Sequence, residues 1–519
     1  MKDLRLKNHV SITLQAFILL TLIISFSVPQ GRALTWSTDY NLSNDAPIDM
    51  SSTTLQTSDG KIWVFWQLME TGSTFDIYYK VYNGTAWSIA TQFTTNPAND
   101  GNPTAIQARD GKIWVFWTTD RDGPPGNWEI YYKTSSNNGA SWSVDTRLTN
   151  SLRHDKRPSA MQAADGRIWV VWYSDDNPNN TDELYYNIFD GTWWGLDTML
   201  TYNTWRDGEP SIIQTKDGKI WVFWTSSKTG DQEIFYKTST NNGVSWSTET
   251  QLVNYKNSED VNPAAIQTRD TTMWVFWQAD RSGSDFNIYY KTSSNNGVSW
   301  TSDAMFVGTG DEEWMPSECQ LENKTMMVTW SSSIYGDFEI LYRLGYNPHD
   351  VGVTKVAYSP VVNYWVYAGF QNFQVNVTVR NYGVYAETFT VSAKYNSTMM
   401  GSQPATLSPS AVTNLTFTWN TAGIPYGHYV ISGSASAVAS EGDLTDNSLS
   451  DGVVTVTMPG DVNFDRIVNV LDVGVVSAHW YPGPPLGALG YDEFVDINKD
   501  GSIDLIDVGL ISAHYSESW

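Results

Sequence analysis

The sequence predicts a mostly β chain: a six-bladed β-propeller, then a two-layer β-sandwich, then a small α-helical module at the C-terminus. Three observations predict it. The segment DGKIWVFW recurs with small changes, ending at Trp66, Trp117, Trp172, Trp224, Trp277 and Trp330, at steps of 51, 55, 52, 53 and 53 residues. An octet recurs in phase with it: SSNNGASW ends at Trp142, STNNGVSW at Trp246 and SSNNGVSW at Trp300. Beyond about Asp350 the aromatic repeat stops, and two acidic twelve-residue segments near the C-terminus each lead into an apolar, helix-like run.

A period of this length, with four strand signals in each unit, is that of propeller blades. The second copy shows one blade in full. Pro103 to Ala108 is strand A, and Asp110-Gly111 turns it into strand B, KIWVFW. EIYYKTS, from Glu129, is strand C, and the octet turns the chain into strand D, where Leu148 follows Trp142 by six residues. Alternating apolar residues in B and C put one face on each neighbouring blade. The same pairing of Trp with Leu or Phe occurs at Trp36/Leu42, ahead of the first full repeat, while the last repeat stops after its strand C, EILYRLGY. Residues 35–43 are therefore expected to supply strand D of the final blade. That clasp pairs edges otherwise left open.

Composition bounds the rest. The chain has 519 residues, 25 Trp, 28 Tyr and a net charge of −25, which suits short strands and argues against nucleic acid or an anionic membrane as partner. Lys2, Arg5 and Lys7 precede an apolar run from Val10 to Val28, then Pro29, Gly31 and Ala33, so residues 1–33 read as a secretory signal peptide, or alternatively as an uncleaved anchor. A secreted or cell-surface location follows. The lone Cys319 excludes an intramolecular disulfide framework and reads as a small apolar strand residue. N-x-S/T triplets at Asn41, Asn83, Asn179, Asn323, Asn376, Asn396 and Asn414 fit a glycosylated surface protein.

The octet resembles the Asp-box, S-x-D-x-G-x-x-W, of the sialidase-like (BNR) propellers, and the resemblance covers residues 35–346. Here Asn137, Asn241 and Asn295 replace the family's Asp, and copies one and three are shortened to YNGTAW and FDGTWW. The resemblance implies a folding element remote from any active site. It also raises the sialidase question, because that family places three arginines, a Tyr nucleophile paired with Glu, and an Asp acid/base at its site. No R-I-P motif occurs; Arg157-Pro158 comes nearest. Arg121, Arg153, Arg157, Arg206 and Arg281 fall in loops of the face opposite the octets, with Trp205 and Trp314 as sugar platforms.

A second repeat lies on that face. Asp49, Asp100, Asp155, Asp207, Asp260 and Glu313 each stand seven residues before a Gln (Gln56, Gln107, Gln162, Gln214, Gln267, Gln320), and five of them stand three before a Pro. Two readings are open. The acids form a ring at the mouth of the central channel, able to hold a cation or polyol, or each opens a turn and bonds its own backbone. The Gln are expected to be buried strand residues with satisfied amides. As general acid and base of a glycosidase, Asp120, Asp155, Asp207 and Asp280 are candidates, which the sequence does not rank.

From residue 347 to 458, segments such as FQVNVTVRNYG, ETFTVSAKYN, NLTFTWNT and HYVISGSASAV alternate apolar and polar residues. About seven strands predict an immunoglobulin-like sandwich. It resembles the CARDB-type adhesion modules by pattern, and a spacer role is expected.

Residues 459–519 carry the sharpest chemistry. DVNFDRIVNVLD offers Asp461, Asn463, Asp465, the Ile467 carbonyl, Asn469 and Asp472; DINKDGSIDLID offers Asp496, Asn498, Asp500, the Ser502 carbonyl, Asp504 and Asp507. Oxygens at those positions make an EF-hand-like Ca²⁺ loop. Two such loops, each leading into a helix, resemble a type I dockerin. The resemblance implies two Ca²⁺ sites and docking to a cohesin-type scaffold module, with Ser477, Ala478, Ser512 and Ala513 where dockerins contact cohesin. Arg466 stands where the family has Gly, which makes the first site the weaker.

The expected protein is secreted and monomeric apart from docking, with a 34–346 propeller that binds glycan or protein ligands and a Ca²⁺-binding tail. It reads as a binding protein sooner than an enzyme. The alternative is a sialidase-like glycoside hydrolase acting in polysaccharide breakdown.

Overall fold

The structure is a computed structural model. It describes residues 34–515 apart from 45–46, 70–73, 123–126, 152–153, 176–180, 282, 284, 360–364, 368–372, 464, 479–496, 498–501 and 504. The N-terminal segment 1–33 lies outside the described residues, as do Arg153, Asn179, Asp496, Asn498, Asp500 and Asp504.

Six antiparallel sheets follow one another along the chain, each ordered A-B-C-D. In blade 2 these are Asp100–Gln107, Ile113–Thr119, Glu129–Ser135 and Thr146–Arg147. Strand B is buried along its whole length, as its run of Ile, Trp, Val and Phe requires. The core lies between blades: Trp63 and Phe65 of blade 1 pack with Trp117 and Tyr131 of blade 2. Burying each such Phe contributes about 2–3 kcal/mol. In blade 2 strand D is shorter than expected and does not contain the tryptophan. Trp142 instead lodges in the groove of the preceding blade, edge-on to Trp63 at 6.2 Å.

The clasp is present. Thr35–Trp36 and Tyr40–Asn41 pair with Glu339–Tyr346, with Thr35 opposite Tyr346 and Asn41 opposite Leu341. A second device closes the ring. Gln107 donates Nε2 to the Gly111 carbonyl (2.9 Å) and accepts at Oε1 from the Ser58 amide of blade 1 (2.6 Å). This bridge repeats from blade to blade and ends with the Glu322 amide donating to Gln56 Oε1. The six Gln are thus satisfied but half-buried at the channel end, not core residues. Cys319 lies in the neighbouring position of Glu313–Gln320, and burial pushes its thiol up to about 11.

The octet is a hydrogen-bonded turn. Asn137 Oδ1 accepts from the Ser135 hydroxyl (2.9 Å) and from the Ser141 amide (2.9 Å), while Ser135 Oγ accepts from the Gly139 amide (2.9 Å). The copies at Asn241 and Asn295 make the same bonds. Gly139 has φ 78°, and a Cβ there would lie 2.2 Å from Trp63, so both the conformation and the approach require glycine.

After the propeller, a three-stranded sheet (Val351–Ser359, Phe373–Asn381, Val412–Trp419) faces a five-stranded one. The latter comprises Trp365–Tyr367, Ser448–Thr457, Gly427–Ala435, Glu387–Tyr395 and Thr398–Leu407. Alternate residues of Phe373–Asn381 point inward and meet Phe389, Phe417 and Trp419. The described strands number eight, against about seven expected, because Trp365–Tyr367 adds a short parallel pairing to Ser448–Thr457.

Two helices follow, α1 (Val470–Ala478) and α2 (Leu505–Ala513). Their loop–helix units pack through residues at equal register, namely Val462 with Ile497, Val468 with Ile503 and Val476 with Ile511 in one buried cluster. Among the described residues no helix is long and apolar enough to cross a membrane.

Candidate functional site

Five of the six repeated acids start strand A of their blade and Asp49 is second in its strand, and each is 0–2 % exposed. None forms an open ring. Asp49 accepts from the Trp66 indole (2.7 Å), Asp100 from Trp117 (3.1 Å), Asp260 from Trp277 (2.6 Å), and Glu313 from Trp330. The Trp172 and Trp224 indoles lie beside Asp155 and Asp207 and oppose the burial-driven rise in their pKa, but without a hydrogen bond of good geometry. A buried indole N–H needs an acceptor, and in four blades the acid seventeen residues earlier supplies it. The partner is therefore neither a channel ligand nor the acid's own backbone. Burial pushes Asp155 and Glu313 up to about 7 and Asp260 up to about 6, and it raises Asp207 as well.

The mouth is built by the residue two places after each acid. Ser51, Asn102, Arg157, Glu209, Asn262 and Met315 all have φ between 50° and 55°. At this point strand A slips register against strand B in every blade, for instance between Lys156 and Ser159. The freed amide is used to join blades: Asn102 N donates to Gln67 Oε1 (3.0 Å), Arg157 N to Thr118 Oγ1 (3.0 Å), and Met315 N to Gln278 Oε1 (2.8 Å). The backbone role explains the conformation but not the side chains. Asn or Gly would suffice for it, yet blades 3 and 4 place Arg157 and Glu209 there.

These six side chains enclose a mouth of about 130 Å³ above a channel of about 790 Å³. Arg157 reaches across it to Asn262 Oδ1. Glu209 Oε1 accepts from Arg206 Nη2 at 2.7 Å, and its Oε2 is shielded with no hydrogen-bond partner among the described residues. Arg206 also holds Asp182 (2.8 Å) and Gln232 (2.7 Å) and lies over the Tyr173 ring at 5.9 Å. Burial raises the Tyr173 phenol, with Arg157 pulling it back. Two guanidiniums, one carboxylate and one phenol thus meet at one side of the mouth. Glu209, Tyr173 and Asn262 were not singled out from sequence, although a long charged residue two after the strand-A acid in blades 3 and 4 alone was a visible departure from the repeat.

The other candidates have structural duties. Arg121 pairs with Asp100 (3.0 Å) and Asp145, and Arg281 with Asp260 (2.6 Å) and Asp303 (2.8 Å). Asp120 clasps the Asn99 amide and side chain (both 2.8 Å), and Asp280 accepts from the Glu259 amide (2.7 Å). Trp314 is half-buried, packed on Phe338 and bonded to Glu312, while Trp205 remains 44 % exposed. Asp350, Asp443 and Asp446 approach within 4.8 Å of one another, but Lys324 Nζ sits among them.

In the first C-terminal loop, Asp461 and Asp472 are wholly buried. Asp472 accepts from the amides of Val462 (2.9 Å) and Asn469 (2.8 Å), drawing both ends of the loop inward. Asp507 accepts from the Ile497 amide (2.7 Å), the equivalent bond of the second loop. Asn463 Oδ1 takes the Asp465 amide, and Asn469 Oδ1 caps α1 through the Leu471 amide. Two buried carboxylates ringed by further oxygen side chains fit a hard divalent cation such as Ca²⁺. Arg466 adopts φ 73°, making with a side chain the turn that favours glycine. Ser477, Ser512 and Ala513 are exposed on the helices.

Fold and site together define a β-propeller protein with a calcium-loop module. Residues 60–261 match the BNR repeat-like domain family and residues 459–514 the dockerin type I domain family, so the chain carries a BNR-repeat domain and a dockerin domain. Dockerin type I domains bind calcium. A protein of unknown function from Dyadobacter fermentans has a similar structure at 14 % identity, with a TM-score of 0.51 over 61 % of this chain and 99 % of its own. An α-L-arabinanase from Penicillium chrysogenum, solved with arabinobiose, is similar at 14 % identity and TM-score 0.47, over 60 % of this chain and 98 % of its own. The NanB sialidase of Streptococcus pneumoniae is similar at 11 % identity and TM-score 0.45, over 61 % and 70 %. A comparison with curated protein sequences gave no match.

Proposed function

We propose that the propeller binds a glycan at the channel mouth and that the dockerin domain, loaded with Ca²⁺ in both loops, docks the protein to a cohesin-type partner outside the cell. The observation that carries the first part is the cluster of Arg157, Arg206 and Glu209, which presents charged hydrogen-bonding groups at a concave opening. Of the candidate catalytic carboxylates, Asp120 and Asp280 hold loop amides, Asp207 accepts from the Asn203 side chain, and Asp155 is buried. In the tail, Asp461, Asn463, Asp465, Asn469 and Asp472, with the Ile467 carbonyl, are the first ligand set, and the equivalent residues from Asp496 to Asp507 the second. Exposed Val470, Leu471 and Ile506 flank Ser477 and Ser512 and supply apolar docking surface.

Glycoside hydrolysis is the second reading. It is favoured by Tyr173 and Glu209 lying with two arginines at the mouth, the residue types that a sialidase-like site uses.

The test is incubation of the full chain, with calcium, with a library of neutral, sialylated and other acidic oligosaccharides. Binding without released sugar, lost in Arg157→Ala and Glu209→Gln, is the expected result. Release of a product by the wild type but not by Tyr173→Phe would replace it with the hydrolase reading. Retention on an immobilised cohesin panel, abolished by chelation, tests the docking.

A further inference from the structure

The six grooves between blades are not equivalent on the face that carries the A–B turns. In five of them an indole from strand B meets an indole of the next blade edge-on: Trp63 with Trp142, Trp114 with Trp194, Trp169 with Trp246, Trp221 with Trp300 and Trp274 with Trp36, at 6.1–6.5 Å. In blade 6 the strand-B position is Met327. Its counterpart in blade 1, Trp87, packs instead on Tyr82 (5.4 Å) and Tyr342 (6.0 Å). The blade-1 turn is also the shortened YNGTAW, where a Cβ on Gly84 would meet nothing within 4 Å. A missing indole and a shortened turn leave an open pocket of about 570 Å³ at the seam where the ring closes.

Its walls are chemically specific. Tyr40, Tyr82, Trp87 and Tyr342 give aromatic faces, with Tyr40 and Tyr342 stacked at 5.0 Å. The sandwich contributes Arg380, whose guanidinium lies over Tyr382 at 5.1 Å. Arg380 Nε is shielded from solvent and has no hydrogen-bond partner among the described residues. A buried donor of this kind lacks an acceptor, and a guanidinium is best matched by a carboxylate. Gln56, Glu322, Asn323 and Thr325 also line the pocket. Aromatic walls with one cationic side chain and a polar rim suit a ring that has an apolar face, hydroxyls for the rim and an acidic substituent for Arg380.

We propose that this seam is a second carbohydrate site, which takes a uronic-acid ring: Trp87 and Tyr342 cover its apolar face and Arg380 holds its carboxylate. The site stands apart from the channel mouth and does not depend on that reading. Titration of the full chain with trigalacturonate, and with neutral galactotriose as control, tests it by calorimetry. Trigalacturonate is expected to bind, and galactotriose at least about tenfold more weakly. Arg380→Gln and Trp87→Ala should each weaken trigalacturonate by about tenfold or more, whereas Val244→Ser, at an exposed position outside both sites, leaves it unchanged. Met327→Trp refills the groove as in the other blades, so it should abolish binding while thermal stability is kept or raised. Equal affinity for the acidic and neutral sugars, undiminished binding in Met327→Trp, or no binding of trigalacturonate at millimolar concentration overturns the proposal.

Discussion

Lys324 Nζ of the propeller lies 2.8 Å from Asp443 Oδ2 of the sandwich, 119 residues further on. Asp446 (2.6 Å) and Asp350 (3.2 Å) complete the contact, and Lys324 and Asp443 are 9 % and 3 % exposed. Lys324 stands at the A–B turn position that is Gly in four other blades, with φ 65°, so blade 6 trades turn comfort for a cation aimed at the next module. Burial pushes Asp350 up to about 7, with Lys324 opposing and Asp446 adding to the rise. Removing the cation leaves three crowded carboxylates. Lys324→Ala should cost about 3 kcal/mol at neutral pH, and less as the pH falls and the acids protonate. Adding Asp443→Asn and Asp446→Asn should restore part of the loss in thermal unfolding. If the triple variant is no more stable than Lys324→Ala, the latch is not electrostatic.

Glu318 has no equivalent acid in the other blades, where Thr54, Ala105, Ala160, Ile212 and Ala265 hold its place. One of its oxygens is shielded without a partner among the described residues, and burial pushes its carboxyl up to about 8. The folded state therefore keeps a proton that the unfolded chain releases near 4.5. The stability tied to that proton is fully present below 4.5 and is lost as pH rises through about 8. Glu318→Gln should flatten this part of the stability–pH curve. Superimposable curves for variant and wild type would show that Glu318 does not carry it.

Gly139 and Gly111 separate two costs. Both have positive φ, 78° and 85°, but only Gly139 has an indole in the way. Gly139→Ala should lose about 3 kcal/mol in chemical denaturation, and Gly111→Ala about 1 kcal/mol. Equal losses would mean that the Trp63 contact is unimportant.

Arg466 occupies the glycine position of the first calcium loop at φ 73°. Arg466→Gly should relieve about 1 kcal/mol of backbone cost and tighten Ca²⁺ binding by roughly fivefold in one calorimetric step. An unchanged isotherm would place the weakness elsewhere in the loop.

Local patterns made much of this architecture legible. The spacing of Trp66 to Trp330 marks blades because every blade must bury the same face, and Trp36/Leu42 marks the clasp because it repeats strand-D chemistry out of order. The carboxylates were another matter. A conserved spacing shows that Asp100 and Asp260 share an environment, but burial against Trp117 and Trp277, seventeen residues away, is set by how strand A bulges.

By itself, then, the sequence determined the six-bladed ring, the sandwich and the two acidic loops, since strand alternation, turn chemistry and oxygen spacing are short-range properties. Only the tertiary structure decided which charges are already spent. Arg121 and Arg281 are consumed by buried acids, whereas Arg157 reaches Asn262 across the mouth, two blades away. It also decided what the change from Trp to Met327 means, because the space it opens is walled by Trp87 of the first blade and Arg380 of the next module. Contacts that close a ring join residues hundreds of positions apart, and their geometry is set by the packing of the whole ring.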